Sequence, residues 1–161
     1  MKVPAVLAVA LTLAGCVTAP KPLQGEFSTI TPEAAVAKQA AGELVRWGGH
    51  IVSVEPRSQS SCFEIVATPL AGSTQPQQVD RSLGRFIACR NGFYEPEVFK
   101  PGREVTISGR IEGFETRKVG EYDYQYPRVA ADVIYLWPER DDVRIIHERP
   151  FFFGGWYGRR W

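Results

Sequence analysis

Between Glu104 and Ile111 the side chains alternate without a break, with Val105, Ile107, Gly109 and Ile111 on one parity and Glu104, Thr106, Ser108 and Arg110 on the other. A segment with that period buries one face and wets the other, so it is read as a strand of an antiparallel sheet. The same period runs through Val45, Trp47, Gly49 and Ile51, through Phe63, Ile65 and Ala67, and through Gly84 to Cys89. Val52 and Val54 take the opposite parity from Ile51, which requires one register change; Gly48-Gly49 is expected to host it as a bulge or bend. Val129, Ala131, Val133, Tyr135 and Trp137 share one face of a later strand whose reverse carries Ile134 and Leu136, so that strand should be central or covered. Tyr122, Tyr124 and Tyr126 share a parity and are expected to cover an end of the core.

Turn chemistry separates these segments. Ala71 to Asp80 is a polar loop, Asn91-Gly92 and Pro101-Gly102 are turns, and Asp141-Asp142 precedes a last short strand over Val143 to Ile146. Before the first strand, Thr31 offers an N-cap, Pro32 suits the first helical position and Glu33 the first turn, so one short helix is expected over 32–41 with Gly42 at its end. Short strands between Gly/Pro turns after one small helix predict a mostly β fold, a small antiparallel OB-like barrel, closed or nearly so. A β-sandwich is the alternative, because alternation does not specify strand order.

The first residues read as an address. Lys2 supplies a positive start, and Val3 to Ala14 is apolar apart from Thr12. That stretch suits a secretory h-region and falls short of the roughly 20 residues that span a bilayer. Leu13-Ala14-Gly15-Cys16 follows: small residues give a peptidase an unhindered site, and the thiol of Cys16 can carry a thioether-linked diacylglyceryl group. The tetrapeptide resembles the bacterial lipobox. The expected organisation is a signal over 1–15, a lipidated tether over 16–30, a barrel domain over 31–147, and an aromatic and basic tail over 148–161. Val17 stands where an Asp would retain a lipoprotein in the inner membrane, so the resemblance implies the periplasmic face of the outer membrane.

Charge narrows the partners. The 19 basic and 18 acidic residues balance once Lys2 leaves with the signal, so there is no electrostatic footprint for nucleic acid. Two cysteines remain beside Cys16. Cys62 and Cys89 lie in strand-like segments and, in an oxidising compartment, suggest a disulfide, with two buried free thiols as the alternative. Neither belongs to a Cys-x-x-Cys pair, and no histidine cluster accompanies them, so no metal or other cofactor is expected.

Several segments, taken in order, resemble the Slp family of Gram-negative outer-membrane lipoproteins, the starvation-inducible lipoprotein group. They are Val45-Arg46-Trp47-Gly48-Gly49, Asp80 to Phe86, Gly92-Phe93-Tyr94-Glu95-Pro96, Pro101 to Thr106, Gly120-Glu121-Tyr122 through Tyr126-Pro127, and Leu136-Trp137-Pro138. The resemblance implies attachment to the outer membrane and a part in envelope physiology under stress or slow growth. It implies no catalytic residues.

No enzyme is expected from the residues themselves. His50 and His147 are compatible with solvated strand faces, no serine sits in a nucleophile elbow, and nothing in the spacing of Glu64, Glu95, Glu97 and Glu121 brings two carboxylates together. Arg46, Trp47, Arg81, Arg85, Tyr94 and Arg103 mix cationic and aromatic groups able to bind glycan faces or anionic head groups. Core packing and ion pairing with Asp80, Glu97 or Glu104 would explain them equally. In the tail, Trp156, Tyr157, Arg159, Arg160 and Trp161 suit a membrane interface or a partner's groove, where rings sit at head-group level and arginines meet phosphate. The expected partners are therefore the bilayer through acylated Cys16, and an envelope protein or a glycan such as peptidoglycan or lipopolysaccharide.

Overall fold

Alternation becomes curvature where glycines let neighbouring strands approach. The computed structural model describes residues 18–140, in which α1 (Pro32–Lys38) precedes β1 (Leu44–Pro56), β2 (Ser60–Thr68), β3 (Arg85–Asn91), β4 (Glu104–Val119) and β5 (Tyr122–Leu136). The strands close into a barrel in the order β1-β2-β3-β5-β4, with β4 pairing back onto β1. Neighbours are antiparallel except β3 and β5, which run parallel through Ile87–Cys89 and Arg128–Ala130. This is an OB-like barrel, and the sandwich alternative drops out.

Val45, Trp47, Ile51, Phe63, Ile65, Phe86, Val105, Ile107, Ile111 and Val129 fill the interior. All but Phe86, whose strand was given no parity, come from the parity that the alternation assigned to the core. One end is closed from the loop after β3, where Tyr94 and Phe99 pack edge-on against Phe63 with ring centroids 5.4 Å away in each case. Ala35 of α1 is buried in the same core, and Ile30 and Leu83 pack against it.

The register change in β1 falls at Val52, since Ile51 pairs with Ile65 and Ser53 with Glu64. Gly48 and Gly49 do not host it; they sit in an unbroken ladder opposite Thr68 and Ala67. Their lack of a side chain serves close approach instead: a Cβ on Gly49 would lie 1.9 Å from the carbonyl oxygen of Val66, and one on Gly109 would lie 2.1 Å from that of Ala130. Gly109 lies beside a register shift against β5, where Ser108 pairs with Val133 and Gly109 with Ala131.

Two further expectations change. Thr31 caps α1 as expected, its Oγ1 accepting from the Ala34 N–H at 3.2 Å, but the helix stops at Lys38. Gln39 takes the left-handed conformation at φ 50 and closes the helix, while Gly42 donates its N–H to the Ile111 carbonyl and starts the path into β1. The outward face of β4 is dry as well. Thr106 and Ser108, expected in water, are 0% and 4% exposed. The Thr106 hydroxyl donates to the Thr74 carbonyl at 2.7 Å and accepts from the Trp137 indole at 2.9 Å, so the loop after β2 and the chain after β5 fold over this strand.

The segment over 16–30 was expected to hang free as a tether. From a 3-10 turn at Lys21–Leu23 onward it instead lies on the barrel: Leu23 is fully buried, Arg46 donates to its carbonyl at 2.7 Å, and Phe27 sits under the Arg46 guanidinium at 4.9 Å. Ser28 then bridges to Val45. Cys16, the strand expected over 143–146, His147 and the aromatic tail lie outside the described residues.

Candidate binding faces of the barrel

β1 and β4 pair only from Leu44/Arg110 to His50/Glu104, whereas β4 and β5 stay paired out to Val119/Tyr122. The far half of the β4–β5 hairpin therefore leaves the wall as an arm. It folds across the outside of β2 and β3, where Tyr126, Cys62 and Ile87 form a second, smaller apolar cluster edged by Val119 and Tyr124. Tyr124 and Tyr126 thus cover the outer wall, not an end of the core, and Tyr122 is exposed. Beneath them Cys62 and Cys89, directly opposed on β2 and β3, are joined in a disulfide.

A polar knot fastens the arm. Glu64 Oε1 accepts from the Tyr126 hydroxyl at 2.8 Å and from Arg85 at 2.6 Å, and the Arg85 backbone N–H donates to the Tyr124 hydroxyl at 3.1 Å. Burial, and then the neighbouring Glu64 carboxylate, push the Tyr126 phenol up to about 12. For Arg85, burial is the largest single effect and opposes the charge, but the hydrogen bond to Glu64 and the charges of Tyr126 and Glu64 together raise its pKa. Glu64, one of the carboxylates considered for glycan cleavage, is therefore committed to holding the arm.

Two clefts flank this arm. One, of about 300 Å³, runs between the arm and the end of β1 and is lined by Ser53, Glu55, Glu64 and Arg117. In it a hydrogen bond from Arg57 holds the Glu55 carboxyl below its usual range against the opposing effect of burial. The other, also about 300 Å³, lies between the arm and α1 and is lined by Glu33, Val36, Arg85, Tyr122, Asp123, Tyr124 and Gln125.

A third hollow of about 330 Å³ opens beside the barrel end among His50, Lys100, Arg103, Glu104, Glu139 and Arg140. Its charges are largely paired. Glu104 accepts from Arg140 at 2.9 Å and from Gln75 at 2.9 Å, and Lys100 lies 3.1 Å from Glu139, whose carboxyl that contact holds below its usual range. Among the described residues no group of three His, Cys, Asp or Glu could hold a metal ion.

The sequence candidates do not converge on one of these places. Arg46 and Trp47 point to opposite sides of the wall: Arg46 clamps the N-terminal segment, while Trp47 is core, its indole donating to the Ile30 carbonyl at 2.7 Å. Tyr94 plugs the barrel end. Arg103 ties the loop after β3 to the end of β5 by donating to the Val98 and Trp137 carbonyls at 3.0 and 2.9 Å. Arg81 is exposed on the loop before β3. Arg85 alone lines a cleft beside the arm. Arg46 and Arg103 bond to the carbonyls of Leu23 and Trp137, 23 and 34 residues away, which no local spacing reveals. Tyr122, Asp123 and Gln125 were missed as site residues because the parity of the three tyrosines was assigned to packing.

The described residues form a small disulfide-braced OB-like barrel whose polar clefts are lined by ion pairs and hydrogen bonds. The model of the outer membrane lipoprotein Slp family matches residues 13–161, and the chain belongs to that family. Membership makes it an outer-membrane lipoprotein, lipid-anchored with its body on the periplasmic side. It is 35% identical over 129 residues to an uncharacterized protein of Haemophilus influenzae, covering 78% of this chain and 70% of that protein. It is 30% identical over 154 residues to the uncharacterized lipoprotein YeaY of Escherichia coli K12, with 91% and 78% covered. To the outer membrane protein Slp of the same organism it is 24% identical over 147 residues, with 88% and 78% covered. No solved structure matches.

Proposed function

We propose that acyl chains on Cys16 hold the barrel close against the outer membrane after residues 1–15 are removed, and that the body serves envelope integrity by contact instead of catalysis. The observation that carries this reading is the docked N-terminal segment. Leu23 is locked into the barrel surface, and a fully extended chain from Cys16 could place it at most roughly 25 Å away. Two or more acyl chains make release slow, since each buried methylene contributes about 0.8 kcal/mol.

The anchor also sets an orientation. The 3-10 turn packs on β4 and β5, and its Leu23 carbonyl is held by Arg46 of β1, so the anchored segment is centred outside β4. In the ring β1-β2-β3-β5-β4, the β2–β3 pair stands opposite β4. The arm and its clefts therefore face away from the bilayer, toward the cell wall. The tail around Trp156, Tyr157, Arg159, Arg160 and Trp161 provides a second contact, with the membrane interface or a partner protein.

Mass measurement of the N-terminal peptide from membranes tests the anchor: a diacylglyceryl thioether on Cys16 is expected, and Cys16→Ser should release the protein into the soluble periplasm. An unmodified thiol on a membrane-bound chain would overturn the reading.

A further inference from the structure

We propose that the groove between α1 and the tip of the β4–β5 hairpin binds an uncharged saccharide strand, with the ring of Tyr122 as its stacking platform. The proposal deepens the envelope reading and rests on its orientation, which turns this groove toward the cell wall.

Three tyrosines on one parity of β5 make a graded stack. Tyr126 is buried and bonded to Glu64, and Tyr124 lies 5.0 Å from it with its hydroxyl held by the Arg85 N–H. Tyr122 follows 6.4 Å further on, 70% exposed. The fold gains little by leaving that ring in water, yet two locked neighbours support it. A tyrosine ring offers a large rigid contact surface at low conformational cost, and a pyranose presents a face of C–H bonds that such a ring can cover. Around the ring, Gln125, Asp123 and Glu33 supply amide and carboxylate groups to pair with hydroxyl and N-acetyl groups.

The charge of the groove selects against polyanions. Among the described residues its one arginine, Arg85, is spent on Glu64, and Asp123 is paired with Lys118 at 2.8 Å, which leaves Glu33. Phosphate of a nucleic acid or a lipid head group would meet carboxylate there, with no free cation among the described lining residues. OB-like barrels elsewhere bind oligonucleotides and oligosaccharides over strands 2 and 3 and the adjoining loops; here the arm covers that face, the groove lies at its edge beside β3, and its residues favour the sugar.

The test titrates the full acylated protein in detergent with soluble β-1,4-linked N-acetylglucosamine oligomers. A second arm uses lipopolysaccharide core oligosaccharide freed of lipid A, whose phosphates and acidic sugars make it the anionic comparison. Saturable binding of the uncharged oligomers is expected, with the anionic core bound at least tenfold more weakly. Tyr122→Ala should weaken it about tenfold, Tyr122→Phe should keep it within about twofold, and Phe93→Ala, another highly exposed ring in the loop after β3, should leave it unchanged. Because Tyr122 is exposed, the variants should fold, and circular dichroism checks that they do. Absence of saturable binding of the uncharged oligomers, tighter binding of the anionic core, or Tyr122→Ala binding as the parent does, overturns the proposal. None of these results bears on the anchor, which is read separately by mass.

Discussion

Gly49 and Gly109 carry more of the barrel's closure than any single core side chain. At each, the backbone of the facing strand occupies the space of a Cβ, at 1.9 Å and 2.1 Å, and backbone cannot turn aside as a side chain can. Gly49→Ala and Gly109→Ala should each cost about 3 kcal/mol or more in denaturant unfolding, while Gly113→Ala, with open space around it, should stay within about 0.5 kcal/mol. Tyr126 supplies a second test at this scale. Its phenol titrates at about 12 in the fold against an ordinary value of about 10. Below pH 10 the proton is held in both states. Between 10 and 12 the unfolded chain releases a proton that the folded chain keeps, so stability falls as pH rises through that window, by about 2 kcal/mol. Ultraviolet titration of the six tyrosines should show one that ionises late, and Tyr126→Phe should remove that late step. At this scale the sequence was half legible. Alternation placed Trp47 on the face that turned out buried, yet no pattern could reveal that Arg46 holds Leu23, because the acceptor is a carbonyl 23 residues away.

Among the elements, β2 and β3 owe their union to more than a ladder. Cys62 and Cys89 close a loop of 27 residues, and cross-linking it stabilises by about 3–4 kcal/mol through the entropy of the unfolded chain. Cys62→Ala together with Cys89→Ala should lower stability by about that amount in chemical denaturation and leave the far-ultraviolet dichroism of the barrel in place. The β4–β5 hairpin shows where reading by period runs out. Alternation identifies its strands, but only the long-range contacts of Tyr124 and Tyr126 with Arg85 and Glu64 show that its outer half bends over β2 and β3. The helix end was misplaced for a related reason. Gly42 looks like a helix stop, but its φ of 88 serves the turn into β1, where its N–H meets Ile111, and Gln39 takes the left-handed turn that ends the helix sooner. The tail belongs to this scale too. Deleting residues 151–161 should leave unfolding unchanged while reducing vesicle association of an unacylated form or crosslinking to a partner; if both stay unchanged, the tail makes no such contact.

For the whole molecule, the barrel class was legible because five strands of the right length alternate between strong turns. Strand order was not, since it is fixed by which edges meet: β4 returns to β1 and β5 slips in beside β3. That order also turns the clefts away from the anchored segment, as the docked turn at Lys21–Leu23 lies on the β4 side. The proposed role depends on this orientation. Spin labels on Gln24→Cys and Asp123→Cys, in acylated protein bound to vesicles that carry a head-group-chelated paramagnetic ion, test it most directly. Strong relaxation at Gln24 and weak relaxation at Asp123 is the expected result; equal relaxation at the two, or the reverse order, would contradict a barrel held by its β4 side with its clefts open to the periplasm.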